Sequence, residues 1–321
     1  MSRPTCKHGD FGSDVMLIQE CLACDQDGDF GSQTRDAVES FQATHRLSVD
    51  GVVGPDTWGV MHQQFGLPAY PPPPLPLMPL PVFNRIKKIA ADSEIARYNW
   101  RDRGVAPLGY IQGMAFGYAT LYRKLRRDDQ PASFLATGRD GRHKSTDALD
   151  YLAPQFRELG WNNDLNGPDT LRHLITLLIG LGMRESSGVH CEGRDMSATN
   201  TSSDTCEAGL FQTSWNCSNC STDFQRLMDE YSAMAESDQQ TGLALFSHEV
   251  SCGSSDWENY GSGTGYQYQQ LAKHCPQFAV ETTACGLRYL RQHWGPIGRR
   301  EVEVKRAADE MLLQVQGVID G

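Results

Sequence analysis

Positive charge is in deficit in this 321-residue chain: 29 Lys and Arg stand against 40 Asp and Glu, a formal charge of −11. Binding to a phosphate-rich polymer or an anionic lipid surface needs cationic surface, so this balance argues against nucleic acid or anionic lipid as the main partner. Long apolar runs are missing too. The longest, Leu174 to Met183, falls short of the roughly 20 residues that span a bilayer, so no stable membrane insertion is expected. Residues Met1 to Asp10 contain no apolar core of the signal-peptide kind. No long alternating strand pattern appears, which predicts a mainly α fold. Gly261, Gly263 and Gly265 form no phosphate loop, because the Lys and Ser/Thr that such a loop requires are absent.

Cysteine, by contrast, is plentiful. There are ten, and seven fall between Cys191 and Cys285, a clustering that suggests disulfides formed outside the cytosol. The pairs Cys21-x-x-Cys24 and Cys217-x-x-Cys220 have metal-ligand spacing. Some 192 residues and a proline-rich stretch separate them, so no shared zinc site is expected, and neither metal nor cofactor is assigned. His190 beside Cys191 lacks the base and orienting group that a thiol nucleophile needs.

Eight of the sixteen prolines lie in the fourteen residues from Pro68 to Pro81. Proline fixes φ and removes an amide donor, so the segment predicts extended polyproline II and a semi-rigid spacer. The expected organisation is a small unit over 1–67, a linker over 68–82 and a larger unit over 83–321.

The small unit repeats itself. Asp27-Gly28-Asp29-Phe30-Gly31-Ser32-Gln33-Thr34 is echoed 23 residues later by Asp50-Gly51-Val52-Val53-Gly54-Pro55-Asp56-Thr57. Each Asp-Gly is a turn signal, and each second glycine stands where a helix should begin. Ala37, Val38, Phe41 and His45 mark a helix over roughly 33–45. Val15, Ile18, Gln19 and Leu22 suggest an earlier helix; Thr57, Trp58 and Met61 suggest a later one. The ordered series Leu17–Leu22, Asp27–Gln42 and Asp50–Trp58 resembles the three-helix peptidoglycan-binding domain attached to many bacterial cell-wall enzymes. Cys21 and Cys24 depart from its usual pattern. The resemblance implies peptidoglycan as a partner and a wall-binding face near the first loop, at Asp27, Phe30 and Thr34.

Helical periodicity dominates the larger unit, with helices expected over roughly 84–99, 110–127, 146–159, 168–184, 222–234, 266–274, 280–293 and 301–316. In the fourth, Pro168 marks the start and Leu171, Leu174, Ile175, Leu178 and Ile179 share a side. Glu185 follows in its last turn, with Gly188 as the stop. A carboxylate there faces the negative end of the helix dipole, and burial would also disfavour its charge. Glu185 is therefore expected to carry a raised pKa and to suit general-acid work on a sugar bond.

The run from Arg184 to Gly188 (RESSG), followed after a polar loop by Glu207 to Asn216 (EAGLFQTSWN), resembles the catalytic core of goose-type lysozymes and soluble lytic transglycosylases. What the resemblance implies is an α-rich lysozyme-like unit that cuts the β-1,4 bond between N-acetylmuramic acid and N-acetylglucosamine. Glu185 would be the general acid, Gln212 would line the sugar groove, and Tyr260 faintly matches the transglycosylase tyrosine. Asp195 and Glu207 are the candidates for a second acid, with Asp204 and Glu192 behind them. Thr201 completes a Glu–Asp–Thr order like that of phage-type lysozymes, with one extra residue before the Asp. A Cys191–Cys206 bond would brace the intervening loop. A lytic transglycosylase and a non-catalytic wall-binding protein are the alternatives. Such a protein would act in the periplasm or extracellular wall, reach it through a holin or a dedicated secretion machinery, and meet an immunity protein as a further partner.

Overall fold

The computed structural model describes residues 3–67, 70, 74–141, 143–194, 202–234, 236–289 and 294–321. Its described residues are mainly helical, as the periodicity predicts. Buried apolar residues fall into two separate clusters, one drawn from Cys6 to Leu67 and one from Ile86 to Val318.

The small unit has three helices, α1 (Ser13–Cys21), α2 (Ser32–Thr44) and α3 (Pro55–Phe65). The structure explains its repeat through two residues that the turn signals did not flag. Gln19 Nε2 donates to Asp27 Oδ1 (2.7 Å), the Asp29 carbonyl (2.9 Å) and Thr34 Oγ1 (3.1 Å), while its Oε1 accepts from the Gly28 amide (2.9 Å). Gln42, 23 residues on, does the same with Asp50 Oδ1 (2.8 Å), the Val52 carbonyl (2.9 Å), Thr57 Oγ1 (3.3 Å) and the Gly51 amide (3.0 Å). Each buried glutamine closes one Asp-Gly turn onto the helix after it. Both glutamines are about 1% exposed, so truncation strands several buried polar groups. Gln42→Ala should cost about 2–4 kcal/mol, read as a lower urea midpoint with unchanged slope.

These clamps correct the expected wall-binding face. Phe30 is fully buried and Thr34 nearly so; the first is core and the second a clamp partner. Neither can touch a polymer. Asp27 is half-buried, and its Oδ1 is held by Gln19 and by the Asp29 amide (2.9 Å).

The proline segment also departs from expectation. Of its described residues, Tyr70 lies beneath the guanidinium groups of Arg3 and Arg226, 5.3 and 5.2 Å from the ring centre. Pro76 accepts a hydrogen bond from Arg123 through its carbonyl, and Met78 packs on the larger core. The helix that follows, α4 (Leu80–Asp92), begins inside the segment with Pro81 in its first turn, where a missing amide costs nothing. Residues 74–81 of the segment lie as a strap on the larger unit. The small unit docks as well: Asp223 Oδ2 accepts from the Ser13 amide (3.0 Å), its Oδ1 accepts from the Ser13 hydroxyl, and the Thr222 amide donates to the Phe11 carbonyl (2.8 Å). Ser13 and Asp223 are fully buried polar partners, which a freely swinging tether would not supply.

In the larger unit the sequence-predicted helices are found with shifted ends. The one expected over 146–159 is broken at Leu152 into α7 (Ala148–Tyr151) and α8 (Ala153–Glu158). A small antiparallel hairpin, β1 (Asn99–Trp100) and β2 (Gly104–Val105), follows α4. Helix α9 (Pro168–Ser186) runs through the centre, buried from Thr170 to Met183, and packs against α5 (Leu108–Leu125), α13 (Pro276–Tyr289) and α15 (Arg306–Asp320). This central position fixes where its last turn emerges. No described helix is long and apolar enough to cross a membrane.

Candidate active site

Helix α9 carries Glu185 as its penultimate residue and ends on two left-handed residues, Ser187 (φ 56°) and Gly188 (φ 79°). The Gly188 amide donates back to the Gly182 carbonyl at 3.2 Å. A side chain at Gly188 would begin 2.8 Å from the Tyr110 ring, and one at Gly182 would clash with the Tyr110 hydroxyl and approach Phe211 at 3.1 Å. Both glycines thus let neighbours close on the end of α9.

Phe211 belongs to the Gly209–Gln212 segment, a tight turn closed by the Ala208 amide donating to the Thr213 carbonyl (3.0 Å). Leu210 and Phe211 are fully buried. Ser186 joins this turn to the helix: its hydroxyl donates to the Leu210 carbonyl (2.8 Å) and the Gly182 carbonyl (3.1 Å). The two stretches that the resemblance singled out, around Glu185 and around Gln212, are therefore adjacent in space. Gln212 itself sits at φ 46°, a conformation that costs a non-glycine residue about 1–2 kcal/mol and concentrates at functional sites. Its Nε2 holds the turn, donating to the carbonyls of Gly209 (3.1 Å) and Glu192 (3.5 Å).

Around Glu185 the charges are arranged unequally. Burial is the main force pushing its carboxyl up, the neighbouring charge of Glu207 pushes the same way, and Arg299, Arg103 and Arg184 pull it down; the balance lies at about 7. The arginines pull weakly because they have other acids and acceptors. Arg299 forks onto Glu301 (2.8 and 3.0 Å), Arg184 approaches Glu301 (3.6 Å), and Arg103 donates to the Arg184 carbonyl. That last contact satisfies a carbonyl in the last turn of α9. Arg103 comes from the β-hairpin and Arg299 from the turn after α14 (Gly295–Gly298). Neither carries a local sequence signal, and sequence reasoning missed both.

The other candidates divide. Glu207 is half-buried and electrostatically coupled to Glu185. The Glu192 carboxyl is raised, first by burial and then by Asp256, and it shares the influence of Arg103. Asp204 is exposed in a short 3-10 turn, Ser203–Thr205. Tyr260 is placed by Gln269, which accepts from its amide (2.8 Å) and donates to its carbonyl (3.2 Å), and its ring is covered by Arg194 at 4.4 Å. Asp195 and Thr201 lie outside the described residues. The expected Cys191–Cys206 bond is replaced: Cys191 pairs with Cys252, their Cα atoms 6.1 Å apart, and Cys206 is a buried free thiol. The brace therefore ties the loop after α9 to the segment leading toward Tyr260, and not to the foot of the Gly209–Gln212 turn.

Comparison with known proteins is informative for the small unit. Residues 12–61 match the family described as putative peptidoglycan binding domain, a span that runs from the start of α1 into α3. Among solved structures, the crystal structure of Burkholderia AP3 phage endolysin aligns with 99% of this chain and 99% of its own at 16% identity, with a TM-score of 0.18. A superposition that weak fixes neither fold nor function for the larger unit.

Proposed function

We propose that the chain is a cell-wall glycosidase in which the small unit holds peptidoglycan and the larger unit cleaves the N-acetylmuramic acid to N-acetylglucosamine β-1,4 bond. The observation that carries this reading is the Glu185 carboxyl, its pKa raised to about 7 mainly by burial, in the last turn of a buried helix whose next residue, Ser186, bonds to the Gly209–Gln212 turn. An acid with that pKa keeps a large protonated fraction at neutral pH, where an ordinary glutamate keeps almost none, and can deliver its proton to a glycosidic oxygen. Glu207, whose charge Glu185 feels, takes the second role: as the carboxylate nearby, it stabilises positive charge on the sugar or orients water. Asp195 and Thr201 stay in the proposal on the strength of the motif order alone.

The pH dependence follows from the sign. Glu185 works protonated, so turnover should fall as pH rises through about 7. Clearing of peptidoglycan suspensions across pH 5–9 (an assay range spanning the working region of carboxyl general acids) measures this. Mass spectrometry of the soluble fragments decides the reaction. Reducing N-acetylmuramic acid ends support hydrolysis, 1,6-anhydro ends reassign the protein as a lytic transglycosylase, and no soluble product leaves only wall binding.

A further inference from the structure

Five residues beyond Glu185 the chain enters a cluster that the proposed chemistry leaves unused. His190 and Cys191 are both fully buried, and Cys252 reaches them from the other side of the loop. One His190 ring nitrogen and the two sulfurs all lie within 4.8 Å of one another, with Nε2 3.8 Å from Cys252 Sγ. Tetrahedral zinc with bonds of about 2.3 Å to sulfur and about 2.0–2.1 Å to nitrogen separates its ligand atoms by about 3.6–3.8 Å. The nitrogen is also in the right form. Nδ1 stands 3.2 Å from the Lys273 carbonyl, which can only accept, so Nδ1 carries the hydrogen and Nε2 keeps its lone pair toward the sulfurs. A backbone carbonyl on the far ring nitrogen is the usual support of a metal-binding histidine. The Ser247 hydroxyl, 3.1 Å from Nε2, adds a polar group on the open side.

The geometry assigns to His190, Cys191 and Cys252 a zinc site that exists only when the Cys191–Cys252 bond is reduced. Two equivalents of a thiol reductant open the bond: they give up two electrons and two protons, leave as their own disulfide, and each cysteine gains one hydrogen. Zinc then displaces both protons, binds the two thiolates and the neutral imidazole, and leaves an uncharged centre suited to burial. Disulfide and zinc thus become alternative clasps for one loop. What the clasp holds is visible in the oxidised form: the carbonyl of Glu192, next to Cys191, accepts from the Gly209 amide (2.9 Å). Wherever the surroundings keep thiols reduced, the metal would keep the loop after α9 in place. This inference does not depend on the reaction proposed for Glu185.

Cobalt(II) is the probe. Anaerobically reduced wild-type protein titrated with it should develop thiolate-to-cobalt absorption, displaced by one equivalent of zinc. That one-equivalent step should be missing in Cys191→Ser and Cys252→Ser, missing in the oxidised wild type, and retained in Cys24→Ser and Cys217→Ser. A step that persists without Cys191 or Cys252, or its absence from the reduced wild type, overturns the assignment. A measurement on wild type alone guards against variants that fail to fold: zinc should slow iodoacetamide labelling of the partly exposed Cys252 at least tenfold in reduced protein, read by peptide mass spectrometry. Equal labelling with and without zinc also overturns it.

Discussion

Glu185→Gln should pellet with peptidoglycan as wild type does while clearing it 10²- to 10⁴-fold more slowly, the usual contribution of a positioned general acid. The same substitution should stabilise the protein in alkali. Glu185 has its pKa raised from 4.5 to about 7 in the folded chain, so the folded state holds a proton that the unfolded state has lost. Stability therefore falls as pH rises between these values, carries the full penalty above 7 and none below 4.5. A shift of that size sets a ceiling of about 3–4 kcal/mol at roughly 1.4 kcal/mol per unit; partial solvent access reduces the expectation to about 1–2 kcal/mol. Thermal melts of both proteins at pH 4 and pH 8.5 test it. A glutamine variant that clears the wall normally removes Glu185 from the acid role. One that gains nothing at pH 8.5 shows that the carboxyl is not raised.

The second large effect belongs to Asp223. Its carboxylate is fully buried, accepts from both the amide and the hydroxyl of Ser13, and faces the charge of Arg226. Asp223→Ala strands those donors and shifts the balance of a buried cluster that also holds Asp14 and Arg3. Removing one member of such a cluster costs about 3–5 kcal/mol. The loss should fall on the docking of the two units, so differential scanning calorimetry should resolve two transitions in the variant, against an expected one in wild type. Asp223→Asn keeps an acceptor for Ser13 but loses the charge, and should fall between. A single unshifted transition in Asp223→Ala would mean that the units are held together elsewhere.

Legibility in the sequence followed the range of the interactions. The helices were readable because each is written in its own periodicity, as in Leu171 to Ile179. The turns of the small unit were readable because Asp-Gly announces itself. Glu185 stood out as a candidate because it closes a helix and lies within the RESSG run. The residues that complete its surroundings were not. Arg103 and Arg299 arrive from remote hairpins and turns, and a cation on an exposed turn has no pattern to betray it. The same holds for Cys252, which sits 61 residues from its partner, while the nearer Cys206 offered the shorter loop. Phe30 and Thr34 misled for the opposite reason. They are prominent in the repeat because the fold needs them inside, and prominence in a repeat marks the builders of a turn as strongly as it marks a ligand contact.

The twin clamps of Gln19 and Gln42 carry a consequence of a different kind. The two halves share one pattern of clamp, and contact with the larger unit makes them unequal. The first half has the Tyr289 hydroxyl only 2.8 Å from where a side chain at Gly28 would begin, and its Phe11 ring lies 5.7 Å from the Tyr289 ring. The matching turn of the second half leaves Ser48, Val49 and Asp50 open to water. One half therefore serves as the joint to the larger unit, and its twin keeps this turn on the outer surface.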